Sequence, residues 1–351
     1  MKILITGNMG YVGPAVVQQL RTGFPQATLI GYDLGYFAGL LTNEGLLPEY
    51  LIDRQYFGDV RKLPDDLLAG VDGLVHLAAI SNDPMGSRYE EVTFAVNHQA
   101  SVSIARKAKE QGVKSFVFAS SCSTYGFADD VPRTENSPLN PLTAYAKSKV
   151  YTERDLRDLA DKNFMVTCLR FPTACGMSSR LRLDLVLNDF VASAVASQKI
   201  IVLSDGTPWR PLINIKDMAR AIKWALQREA SSGGEFLVVN TGTNEWNYQV
   251  KDLAEWVARI IPGVSVSINR NAQPDKRSYR VNFDLFKSLA PNHQPQWGLD
   301  ATVQELQQGL QTLGFNLNDF RNSHYMRLKV LDSLRAKALL NNQLEWTEKP
   351  S

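Results

Sequence analysis

The sequence predicts an α/β fold, a doubly wound parallel sheet into which a smaller α/β domain is interleaved. Three observations carry this. Short apolar runs alternate with helical periodicity through the first half of the chain. The first run, Lys2-Ile3-Leu4-Ile5-Thr6, turns at once through Gly7, Gly10 and Gly13 into a helical pattern. Beyond about Gly176 the alternation loosens, and Pro208, Pro211, Pro262, Pro274 and Pro291 punctuate shorter elements. Strands that alternate with helices pair in parallel and are covered on both faces. Ligands of such sheets bind beyond the carboxyl ends of the strands.

In chain order, residues 2–6 read as the first strand, 13–22 as a helix and 27–32 as the second strand. Further strands are expected at 74–77, 115–119 and 164–170, with helical periodicity over 90–111 and 143–162 between them. The apolar runs 211–215 and 236–240 read as strands that return to the main sheet. The expected division is a first domain over 1–175 with returning segments at about 211–228 and 236–242, a second over 176–210 and 243–315, and a helical tail over 316–351. In that tail, Tyr325-Met326-Arg327-Leu328 and Leu331-Asp332-Ser333-Leu334 read as a helix with no role attached. There is no internal repeat and no low-complexity segment.

The 351 residues are 44% apolar and 21% charged, an ordinary composition for a soluble chain with a large core. A formal net charge of +2, without runs of like charge, gives no support to a nucleic-acid groove or a membrane-surface patch. Cys122, Cys168 and Cys175 are odd in number and not spaced as metal ligands, which points to a reducing compartment. The four histidines are scattered and support no metal site. No apolar segment approaches the ~20 residues of a membrane span, and the first apolar run does not have the form of a signal peptide. The expectation is a soluble, cytoplasmic protein without a nucleic-acid or membrane partner.

The glycine turn suits a dinucleotide, and makes the expected sheet a Rossmann-type one. In the run Gly7-Asn8-Met9-Gly10-Tyr11-Val12-Gly13, Gly7 permits the tight turn, Gly10 lets backbone approach a pyrophosphate, and Gly13 lets helix pack on strand. The free N–H groups at the start of the helix then hold negative charge. Asp33 ends the second strand twenty residues after Gly13. A carboxylate there accepts from ribose hydroxyls and repels a 2′-phosphate, so it selects NAD over NADP. Asp59, followed by Val60, either reaches the adenine amine or is an exposed loop acid. Leu77, Ala78 and Ala79 leave room for a flat cofactor, while His76 reads as a packed core histidine.

Tyr145 and Lys149, four apart near the start of a helix, share one face. An ammonium beside a phenol favours the phenolate and lowers its pKa from ~10 toward the working range. Upstream, Ser120-Ser121-Cys122-Ser123 ends a strand in hydroxyls, where a substrate oxygen needs a donor; the plainer reading is a serine-rich turn.

Taken together these residues resemble the extended short-chain dehydrogenase/reductase family, the sugar-nucleotide epimerases and dehydratases. The resemblance runs through Thr6-Gly7 to Gly13, Asp33, Asp59, His76 to Ala79, Val96-Asn97, Ser120-Ser121, Tyr125-Gly126, Tyr145 with Lys149, and Arg170 to Gly176. It implies Tyr145 as the base toward a sugar hydroxyl, Ser121 as a partner to the same oxygen, and Lys149 as the group holding Tyr145 and the nicotinamide ribose. It also implies Asn97 and Phe171 at the cofactor, Ser81, Ser123 and Thr173 at the sugar, and a homodimer built on the helices at 90–111 and 143–162.

Two departures stand out. The family's dehydratases carry Asp-Glu directly after the catalytic hydroxyl, whereas this chain has Cys122-Ser123. A thiol and an alcohol are poor substitutes for that acid/base pair. Many epimerases have Asn at the position of Thr173. For the nucleotide diphosphate, Arg210 in Trp209-Arg210-Pro211 is the first candidate, with Arg280 or Arg277 in the loop from Asp275 to Arg280 as the second. Asn188 either donates to the diphosphate or caps a helix, and Trp209 either stacks on the base or packs. The reading is an NAD-dependent epimerase of a nucleoside-diphosphate sugar, by default at C4. The rivals are a 4-keto reductase, a decarboxylase or a 4,6-dehydratase, and a non-catalytic NAD-binding sensor.

Overall fold

A computed structural model describes residues 1–42, 46–128, 131–272 and 277–347. Pro274, Asp275 and Lys276 therefore lie outside the described residues. The strands are β1 (Lys2–Thr6), β2 (Thr28–Asp33), β3 (Arg54–Phe57), β4 (Gly73–His76), β5 (Ser115–Ser121), β6 (Met165–Phe171), β7 (Thr173–Cys175), β8 (Lys199–Val202), β9 (Trp209–Asn214), β10 (Phe236–Asn240), β11 (Asn247–Gln249) and β12 (Ser265–Ile268). Seven of them form one parallel sheet in the order β10-β6-β5-β4-β1-β2-β3. β1 reads as an uninterrupted apolar run because it is covered on both faces: Ile3, Leu4 and Ile5 are wholly buried.

The chain builds outward from β1 through β2 and β3, then restarts at β4 on the other side and proceeds through β5, β6 and β10. The reversal falls between β1 and β4, whose last residues Thr6 and His76 are paired. This opens a crevice beyond their carboxyl ends, the place where such sheets take ligands. The main helices are α1 (Gly13–Gly23), α2 (Asp83–Arg88), α3 (Glu90–Phe94), α4 (Ser101–Glu110), α5 (Ala144–Arg157), α6 (Val186–Ser197), α7 (Ile215–Gln227), α8 (Val250–Ile260), α9 (Asp284–Leu289), α10 (Leu299–Thr312) and α11 (Arg327–Ala336). Between α3 and α4 the path stays helical through a π-type stretch, Ala95–Ala100. α5 starts at Thr143, whose hydroxyl accepts from the Ala146 N–H (3.1 Å), and stops short of the expected 162. Among the described residues no helix is long and apolar enough to cross a membrane.

One expectation is corrected. The strand at 211–215 does not return to the main sheet. It belongs to β9, which pairs with β11 and β7 in a separate three-stranded sheet. Pro211 sits where the partner of β9 changes, since residues 209–211 face β11 and 212–214 face β7. A proline, with no N–H to give, is tolerated at such a break and not in the interior of a seven-stranded ladder. Asn214 ends the strand and caps α7, its Oδ1 accepting from the Lys216 N–H (2.9 Å), so only the helix returns, packing on α1 and the back of the sheet.

Candidate active site

The crevice is a single cavity of about 760 Å³. Gly7, Gly10, Tyr11, Val12 and Gly13 form its floor at one end. Gly7 has φ +75°, and a Cβ there would lie 2.5 Å from the Ala78 nitrogen. A Cβ on Gly13 would lie 1.9 Å from the Asn8 carbonyl oxygen. Both positions therefore require glycine. Gly10 has only the Gly7 oxygen, at 3.2 Å, near its absent side chain. Val12 begins α1 without any side-chain cap, so the first-turn N–H groups are left to a ligand anion. The glycine turn fits a pyrophosphate. Asn8 and Met9 do not join the cavity wall: Asn8 is buried and donates to Gln55 Oε1 (2.7 Å).

Asp33 closes this end. Its carboxylate accepts from the N–H groups of Met9 (3.0 Å) and Gly35 (2.8 Å), so it pins the glycine turn while facing the cavity. Burial raises its pKa, opposed by those two N–H groups and by the Arg180 charge. Asp59 and Val60 line the same end, but the Asp59 carboxylate is gripped by Arg61, with Nε at 3.0 and 2.9 Å from its two oxygens. Leu77, Ala78, Ala79 and Phe171 line the cavity as expected. Asn97 does not: it is fully buried, accepts from the Ile80 N–H (2.8 Å) and donates to the Ile80 carbonyl (3.0 Å), holding the loop after β4 from behind. His76 lies between Thr6 Oγ1 (2.7 Å) and Ser101 Oγ (2.8 Å), and burial pulls its pKa to about 3, so it is a neutral core histidine.

Midway along the cavity, Tyr145 stands beside Ser121, whose side chain favours its ionised form. Lys149 lies beneath its ring, Nζ 5.7 Å from the ring centre, and donates to the Ala119 carbonyl at 2.7 Å. The expected lowering of the phenol pKa is not found. Burial pushes Tyr145 up to about 12, against the Ser121 side chain and the Arg182 charge, and with the Asp83 charge adding to the rise. The Lys149 ammonium is committed to a carbonyl and not to the phenol oxygen, which is why the i, i+4 spacing alone misleads. Burial lowers Lys149 itself to about 8, with Glu153 one turn on holding it up. Glu153 is locked in turn by Arg170, Nη2 to Oε2 at 2.6 Å. Cys122 is fully buried with Sγ against the Arg170 carbonyl (3.2 Å), and burial raises its thiol pKa well above the ordinary value. Ser123 lines the cavity, and its Oγ is buried without a hydrogen-bond partner.

At the other end, Ser81, Thr173, Arg210 and Arg277 line the wall. Arg277 Nη1 pairs with Asp83 Oδ2 at 3.0 Å. Arg280 and Trp209 do not join the wall; they stack on each other, guanidinium to indole centre 5.0 Å. Asn188 is fully buried and spent internally, accepting from the Gly176 N–H (3.1 Å) and donating to Tyr11 Oη (2.9 Å) and the Arg182 carbonyl (3.0 Å).

Sequence reasoning missed Arg182. It lines the cavity, binds Asp184 through Nε (2.5 Å) and Nη2 (2.9 Å), and donates to Ser81 Oγ (2.9 Å). The only hint was an Arg-x-Arg-x-Asp run, Arg180 to Asp184, beside the expected glycine-containing loop end at Gly176.

A model of the NAD dependent epimerase/dehydratase family matches residues 3–242. The UDP-glucose 4-epimerase of Corynebacterium glutamicum is 26% identical over 276 residues, covering 74% of this chain and 80% of that protein. The solved UDP-glucose-4-epimerase of Stenotrophomonas maltophila, with bound NAD and formylated UDP-arabinopyranose, superposes with a TM-score of 0.75 at 19% identity, over 90% of this chain and 99% of that one. A dTDP-glucose 4,6-dehydratase from Streptomyces venezuelae, with NAD and TYD bound, superposes with a TM-score of 0.72 at 22% identity, over 89% and 97%. An epimerase and a dehydratase thus share this fold to nearly the same degree.

Proposed function

The chain belongs to the NAD dependent epimerase/dehydratase family, and we propose that it is an epimerase of a nucleoside-diphosphate sugar, inverting a hydroxyl-bearing carbon, by default C4. The observation that carries this is Tyr145 set beside Ser121 and above Lys149, in a cavity whose described carboxylates near Tyr145 are engaged by arginines. Asp83 is held by Arg277, Asp184 by Arg182 and Asp189 by Arg321. Cys122 is buried and turned to a carbonyl. Among the described residues no acid/base pair stands ready to take out and return water, so elimination is disfavoured.

Tyr145 is the group positioned to exchange a proton with the sugar hydroxyl. Ser121 orients that oxygen. The active form of Tyr145 is the phenolate, and the charge of this chain that favours it is that of Arg182. When bound, NAD supplies the hydride acceptor that also returns the hydride, and its positive ring further favours the phenolate. Gly7 to Gly13 and Asp33 would hold it, Asp33 excluding a 2′-phosphate. Arg210 and Arg277 are placed to take the substrate diphosphate. The active protein is cytoplasmic in this reading, and a homodimer.

Proton NMR of purified protein with UDP-, GDP-, CDP- and dTDP-sugars tests the assignment. An epimer forming without added cofactor, and reduced at least ~10²-fold in rate by Tyr145→Phe, supports it. A 4-keto-6-deoxy product, or a stoichiometric demand for NAD(P)H, would replace it with a rival reaction.

A further inference from the structure

The C-terminal tail brings one charge into the cavity. Arg327, the first residue of α11, is 1% exposed and lines the wall. Its Nη2 donates to the Arg180 carbonyl (2.7 Å), and its guanidinium lies 4.3 Å from the centre of the Phe37 ring. Its Nη1 is buried and has no hydrogen-bond partner. Both neighbouring guanidiniums are neutralised, Arg180 by Glu49 (2.7 Å) and Arg182 by Asp184 (2.5 Å). Among the described residues Arg327 forms no ion pair. A buried, unpaired donor on a cation is costly, and two adjacent arginines make it costlier. Burial first, then the Arg182 charge, pull its pKa down to about 9, so it remains charged at neutral pH. Arg327 itself carries a charge without an ion pair among the described residues and one idle donor. Both call for an anion.

The surroundings say which one. Arg327 touches Phe37, four residues past Asp33, and its charge is felt by Tyr11 of the glycine turn. Its neighbour Arg182 reaches Ser81, just past β4, and its charge is felt by Tyr145. This places the pair between the Asp33 end and the Tyr145 end, over the middle of the dinucleotide cleft. Arg210 and Arg277, the substrate-side cations, belong to the segments around β9 and Tyr279. The middle of a dinucleotide is its pyrophosphate. We infer that Arg327, backed by Arg182, clamps the cofactor pyrophosphate from the side opposite the N–H groups of the glycine turn. The tail is thereby a part of the cofactor site. The rest of it is docked accordingly: Leu331, Leu340 and Leu344 pack on Ile80, Met85 and Tyr89, and Trp346 Nε1 donates to the Leu34 carbonyl (2.7 Å).

This rests on the cavity being an NAD site, and the test separates the two claims. Protein stripped of cofactor is titrated with ADP-ribose, which has the pyrophosphate but no nicotinamide, and with adenosine, which has neither. Arg327→Gln should weaken ADP-ribose roughly 10- to 100-fold, the range of one hydrogen bond to a charged group, and leave adenosine unchanged. Arg327→Lys keeps charge and length, secures a folded comparison, and should show a smaller loss confined to ADP-ribose. ADP-ribose affinity unchanged in the Lys variant and in a folded Gln variant, or equal losses for both ligands, would overturn the clamp. Wild-type protein that takes up no ADP-ribose would instead overturn the cofactor reading on which it rests.

Discussion

Lys149 is the residue where chemistry and stability pull in opposite directions. Its ammonium is 3% exposed, satisfied by one carbonyl, and lowered by burial to about 8. Below pH 8 the lysine is protonated in both folded and unfolded chains, and the full cost of burying its charge is felt. Between pH 8 and about 10.5 the folded chain gives up a proton that the unfolded chain keeps, so stability rises with pH through that window. The penalty at pH 7 is on the order of a few kcal/mol, partly offset by the bond to Ala119. Lys149→Met should therefore melt at or above the wild-type temperature at pH 7, lose that advantage by pH 10, and have no turnover at either. A variant less stable than wild type at pH 7, by a margin that ignores pH, would contradict this account of the site. Tyr145 adds a lesson of the same kind: its spacing from Lys149 was legible, but the direction of its pKa was not, because the carbonyl of Ala119 and the depth of burial are set by other strands.

At the scale of elements, what the sequence made legible was whatever is encoded within a few residues. The glycine turn and the Tyr145/Lys149 face of α5 depend on spacings shorter than one helix, and Asp33 at the end of β2 on a single strand–helix–strand unit. Features that depend on distant partners were hidden. The apolar run marks residues 211–215 as a strand but does not say which sheet takes it. Asn97 and Asn188 have side chains suited to a ligand, yet each is consumed by backbone groups that only the fold brings near. Arg182 and Arg327 meet across some 145 residues of chain, counting from their numbers. The helices at 90–110 and 144–157 lie side by side, with Phe94 and Tyr151 stacked at 5.9 Å and Tyr151 still 38% exposed. An outward aromatic face on paired helices suits a second copy of the chain in the proposed homodimer. Sedimentation at micromolar concentration should give twice the chain mass, and Tyr151→Glu should shift it to monomer; a wild-type monomer would reject this interface.

For the molecule as a whole, the reversal of strand order between β1 and β4 gathers every part of the proposed reaction into one cavity of about 760 Å³. The cofactor wall comes from the sheet and, through Arg327, from the tail. The substrate wall comes from the segments around β7, β9 and Tyr279. Tyr145 stands between them. The central claim is that such an enclosed site oxidises a sugar carbon and restores the same hydrogen to its other face. The direct measurement uses a sugar nucleotide deuterated at the inverting carbon, mixed with an undeuterated pool marked with carbon-13, and no added cofactor. The account predicts epimers in which deuterium stays in the molecules that carried it. Deuterium appearing in the carbon-13 pool, or lost to solvent, would contradict it.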